Sequence, residues 1–122
     1  MREVFFLLDA TGNLLFSDAS ESPSALPDSR RRWEAIWQHR DSLAVLAHSH
    51  PRGPLAFSKE DETTMAALES ALGRELCFAV VAPDGVIEKT GARVTRLESE
   101  PAWADELRVA SRMSQAPERK ED

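Results

Sequence analysis

The segment Leu43-Ala44-Val45-Leu46-Ala47-His48 constrains the fold most. It is apolar on both faces of an extended chain, which reads as a central strand of a sheet covered on its two sides. Pro51 follows almost at once, and a proline has no amide hydrogen to continue a central strand. The strand therefore stops at His48 and His50, at its C-terminal edge. In α/β sheets that is the edge where ligands usually bind.

Around this strand the pattern predicts a layered α/β domain. Arg2–Leu8 reads as a strand, Asp9–Asn13 as a turn and Leu14–Ser17 as the returning strand of a hairpin. Ser20–Pro27, rich in Ser and Pro, reads as a loop. Asp28 or Ser29 can cap a helix reaching about Arg40, with Trp33, Ile36 and Trp37 as its core-facing stripe. Ser58 opens a second helix to about Leu72, closed by Gly73. Glu75–Ala82, Val86–Lys89 and Arg93–Leu97 complete the sheet, with Pro83-Asp84-Gly85 as a tight turn. A last helix spans Pro101 to about Met113, anchored by Trp103 and Leu107. The expected fold class is α/β, a mixed β-sheet flanked by helices, in a single domain over residues 1–113. Residues 114–122 are expected to be a disordered polar tail.

Bulk properties narrow the function. The 122 residues can bury one core, and no apolar run approaches the length of a membrane span. The N-terminus lacks a secretory pattern, so a cytoplasmic location is expected, with no membrane partner. Twenty-one acidic residues against 15 basic ones give a net charge of -6, which argues against nucleic acid as a partner. The cluster Arg30-Arg31-Arg32 reads as the solvated start of a helix. Cys77, the single cysteine, excludes an internal disulfide and reads as a buried, inert thiol.

The chemistry concentrates in one stretch. Residues two apart on a strand share a face, about 6.5–7 Å apart at the backbone, so His48 and His50 can converge on one ion. Asp61, Met65, Leu68 and Leu72 share one helix face, and three of the four are apolar, so Asp61 turns inward. An inward carboxylate needs a cation or several donors. Ser58-x-x-Asp61 also resembles a capping box, and both roles are compatible. Two histidines and a carboxylate would leave a zinc ion one open position, the pattern of a catalytic site rather than a closed structural one. A base is still needed. Glu3 alternates with Phe5 and Leu7 on a strand face and is the first candidate; Glu21 and Glu34 are its rivals.

His48-Ser49-His50-Pro51, six residues, Ser58, two residues and Asp61 meet every fixed position of the His-x-His-Pro-x6-Ser-x2-Asp signature. On these residues the chain resembles the JAMM (JAB/MPN) zinc metalloproteases, in their compact prokaryotic form. The resemblance implies a mixed sheet with flanking helices, in cytidine-deaminase-like layering. It implies one Zn2+ per chain on His48, His50 and Asp61, with Ser58 holding the oxyanion. The family's general base begins a core strand well upstream, a description that Glu3-Val4-Phe5-Phe6-Leu7-Leu8 fits. The implied activity is hydrolysis at the C-terminal tail of a ubiquitin-like or sulfur-carrier protein, or of its conjugate. Many members of that family have a helix before the glutamate strand, whereas only Met1 and Arg2 precede it here. The chain is short for the insertions that grip a ubiquitin pair, so linkage selectivity is not expected. A non-catalytic MPN-type scaffold, a RadC-like protein and a cell-wall or phage-tail peptidase are the alternatives. The sequence does not set the oligomeric state.

Overall fold

The computed structural model describes residues 2–20 and 30–113. The loop at Ser20–Pro27, the cap at Asp28 or Ser29, the rival base Glu21 and the tail at 114–122 lie wholly or largely outside them. In chain order the elements are β1 (Glu3–Asp9), β2 (Leu14–Ser20), α1 (Arg30–Gln38), β3 (Leu43–Ser49) and α2 (Lys59–Leu72). They are followed by β4 (Cys77–Ala82), β5 (Gly85–Thr90), β6 (Arg93–Arg96) and α3 (Ala102–Ser111). One six-stranded sheet has the order β2-β1-β3-β4-β5-β6. Only β3 and β4 run parallel, joined through α2; the other neighbours are antiparallel. The sheet is thus mixed and flanked by helices, with the doubly apolar segment in its interior.

Strand alternation sorts the apolar side chains into two layers. Val4, Phe6, Leu8, Ala47, Ala79 and Val81 pack with Trp103, Ala104 and Leu107 of α3. On the opposite face Phe5, Leu7, Leu46 and Phe78 pack with Ala35 and Ile36 of α1 and with Met65 and Leu68 of α2. The second layer is the one whose edge carries the histidines.

Three local expectations need correction. Trp33 and Trp37 are 41% and 54% exposed, while Ala35 and Ile36 are buried. The face of α1 against the sheet runs through Ala35 and Ile36, where a small residue lets the helix approach Phe5, and Arg32 stacks its guanidinium 5.6 Å from that ring. Trp37 instead lies under the Arg40 guanidinium, 4.2 Å from the ring centroid. Cys77 is only half-buried, although burial still pushes its thiol upward. The strand read as Arg93–Leu97 ends at Arg96, and all four of its residues are exposed. Among the described residues no helix is long and apolar enough to cross a membrane.

Candidate metal centre

The site lies where β1, β3 and α2 meet. Register sets the first two elements. Phe5 pairs with His48 across the antiparallel β1–β3 ladder, which carries Glu3 towards His50. Ser49 points to the other face and is fully buried, and its Oγ accepts the Val4 N–H at 2.8 Å. That side chain ties β3 to the start of β1, beside Glu3. The His50 N–H donates to the Val81 carbonyl at 2.8 Å, so β4 holds the last histidine after the strand has ended.

The third element is set by a cap. Ser58 Oγ accepts the Asp61 N–H at 3.0 Å, and Asp61 Oδ2 accepts the Ser58 N–H at 2.8 Å. This is a reciprocal capping box with aspartate at its third position. It also aims the carboxylate, because the first turn of a helix favours negative charge and the box fixes one of its oxygens. Gly73, at φ 71, closes the same helix in the left-handed region.

These constraints bring His48, His50 and Asp61 together. The Nε2 atoms of the two histidines are 3.2 Å apart. His48 Nε2 lies 3.1 Å from Asp61 Oδ1, and His50 Nε2 lies 3.3 Å from Asp61 Oδ2. His50 Nδ1 is 2.9 Å from the Pro54 carbonyl, which can only accept, so Nδ1 carries the hydrogen. The neutral His50 ring then presents a lone pair at Nε2, facing a carboxylate oxygen. Two acceptors at that separation repel unless a proton or a cation lies between them. A tetrahedral zinc ion with bonds of about 2.0–2.1 Å has ligand-to-ligand edges of roughly 3.3 Å. The observed spacings fit that requirement, and the three side chains could hold a metal ion. The Pro54 carbonyl supplies the outer-shell hydrogen bond that fixes a ligating histidine.

The titration behaviour reflects the same crowding. Burial alone would raise the Asp61 carboxyl, but hydrogen bonds from both histidines and from the Ser58 backbone hold it well below the usual range. Burial alone would lower His50, yet the Asp61 carboxylate and the Pro54 carbonyl leave it raised. Glu3 is buried, 7% exposed, and its carboxyl is pushed up to about 7. Desolvation is the main cause; Asp61 adds to it and His50 opposes it.

Glu3, His48, His50, Ser58 and Asp61 all line one cleft of about 810 Å³. The structure therefore gathers every site residue expected from the sequence. Of the rival bases, Glu34 lies exposed on α1, paired with Arg30 at 2.9 Å. Sequence reasoning missed Ser49, although its place between two histidines of like facing marks it as turned to the opposite side. It also missed the Pro54 carbonyl, for which the sequence carries no signal. Arg52 and Lys59, also on the cleft, were passed over.

A mixed sheet between two helical layers, with a His-His-Asp cluster at the edge of a central strand, defines an α/β domain with a candidate metal centre. The model of the prokaryotic homologs of the JAB domain matches residues 6–97, and the chain belongs to that family. The match contains both histidines, Ser58 and Asp61 and begins three residues after Glu3. No curated protein and no solved structure matches the chain.

Proposed function

We propose that this chain is a JAMM-type zinc-dependent isopeptidase or peptidase. Its substrate is the C-terminal tail of a ubiquitin-like or sulfur-carrier protein, or a conjugate made through that tail. One observation carries the reading: two imidazole nitrogens and a carboxylate converge at 3.1–3.3 Å in the same cleft as a buried glutamate. A zinc ion held by His48, His50 and Asp61 supplies Lewis acidity and makes water nucleophilic near neutral pH.

The remaining roles belong to the chain. The Glu3 carboxylate takes a proton from the attacking water as its oxygen adds to the scissile carbonyl carbon. It returns that proton to the amide nitrogen as the C–N bond breaks. A carboxyl near 7 suits both transfers, because it is neither firmly charged nor firmly protonated at working pH. Ser58 Oγ already accepts the Asp61 N–H, so its own hydrogen is free to donate to the oxyanion. Asp61 and His50 stay aligned through the Ser58 N–H and the Pro54 carbonyl.

The test is zinc content together with turnover. Purified protein should bind about one zinc per chain, and His48→Ala should lose it. The loaded protein should release a reporter fused to the tail of at least one member of a panel of ubiquitin-like and sulfur-carrier proteins. A chain that binds no zinc and leaves every fusion intact would be a scaffold, and the proposal would fall.

A further inference from the structure

We propose that Arg52 and Lys59 select the substrate by charge, so that the bond cut in this cleft has an acidic residue within one or two positions of it. The inference deepens the peptidase reading and rests on it. Its observation is the charge of the cleft wall. Apart from Glu3 and Asp61 at the centre, the lining among the described residues carries three cationic side chains, Arg52, Lys59 and the already engaged Arg32, against one carboxylate, Glu60. This is a reversal of sign in a chain whose net charge is -6.

Several other arginines of the fold are committed to structure. Arg30 pairs with Glu34, Arg31 with Asp18, and Arg108 with Glu100 and Asp105. The Arg52 and Lys59 side chains make no hydrogen bond or ion pair among the described residues. Neither has a local structural reason to be cationic. Lys59 is the first residue of α2, where a positive charge opposes the helix dipole, while Glu60, Asp61 and Glu62 behind it suit that end. Arg52 is exposed in a turn whose backbone is closed by the Gly53 N–H on the His50 carbonyl at 2.9 Å.

Their placement supplies the specificity. Arg52 follows the ligand His50 by two residues, and Lys59 stands between Ser58 and the ligand Asp61. An extended peptide held at this centre lies against both. A carboxylate beside its scissile amide completes two ion pairs that the free protein leaves unmade. A lysine or arginine there meets like charge and is rejected.

The experiment digests a proteome-derived peptide library with the zinc-loaded full chain and sequences the cut sites by mass spectrometry. Asp and Glu should be enriched several-fold within two positions of the cut, less so at high salt. Arg52→Glu combined with Lys59→Glu should turn the preference towards Lys and Arg. Flanking residues that are neutral in the native chain, or unchanged by the reversal, would overturn the proposal. A second readout needs no turnover. Fluorescence anisotropy on zinc-loaded Glu3→Gln protein compares a labelled glycine-rich peptide carrying glutamates with its glutamine counterpart. The glutamate peptide should bind several-fold more tightly, and the double reversal should abolish the difference; equal binding overturns the proposal. Charge-selective binding without any cutting would sink the peptidase reading instead, which separates the two failures.

Discussion

Ser49 stands between two candidate ligands and touches neither, yet it holds the β1 end of the site. Its Oγ is the acceptor for the Val4 N–H in a fully buried position. Ser49→Ala leaves that amide without a partner, at a cost of about 1–3 kcal/mol. Urea unfolding of the metal-free chain should show this loss, while zinc content stays near that of the native protein. Glu3 allows a sharper test. As a base it works only when charged, and below its folded value of about 7 it is progressively protonated. With turnover carried by the charged form, kcat/KM should fall about tenfold per pH unit on the acid side and level off above. A cation on the neighbouring ligands draws that limb to lower pH. Glu3→Gln should retain zinc, lower kcat by about 10²–10⁴-fold and abolish the Glu3 limb. Undiminished turnover in that variant would place the base elsewhere.

At the scale of elements, the proposed mechanism gives α2 a structural and a chemical task at one residue. Ser58 caps the helix through the Asp61 N–H, and its hydroxyl hydrogen is assigned to the oxyanion. The two tasks separate by substitution. Ser58→Ala should cost about 1 kcal/mol of stability through the lost cap, together with activity. Ser58→Asp, a good cap that accepts but does not donate, should restore the stability without restoring turnover. Recovery of both would show that Ser58 acts only through the helix. Much of this geometry was legible in the chain, because it depends on short periods. Alternation by two put His48 and His50 on one face, and helical phase put Asp61 over Met65 and Leu68. Features set by tertiary packing were not. Trp33 and Trp37 have the spacing of a core stripe, but α1 approaches the sheet through Ala35 and Ile36. Arg108 of α3 is buried and donates to the Ala82 and Gly85 carbonyls at either end of the β4–β5 turn, a placement that helical periodicity does not mark. The Pro54 carbonyl is equally invisible, since a backbone acceptor leaves no mark in residue type.

For the whole molecule, the candidate centre joins parts that are distant in the chain. His48 and His50 end β3, Asp61 begins α2, and Glu3 begins β1. When the His50 ring is neutral, the described fold sets two acceptors, His50 Nε2 and Asp61 Oδ2, 3.3 Å apart, where they repel. A cation between them removes that repulsion only in the folded chain, where the ligands are already gathered, so metal binding and folding are linked. At zinc about 100-fold above its dissociation constant, the stabilisation is about 2.7 kcal/mol. For a domain of this size that raises Tm by on the order of 10 °C. Chelation should lower the melting temperature accordingly, and added zinc should restore it. His48→Ala should melt at the same temperature with and without metal. The increment should shrink as pH falls, because the proton held by the raised His50 competes with the cation for the same nitrogen. A zinc-induced shift that persists in His48→Ala would place the metal at some other site, and with it the chemistry assigned to this cleft.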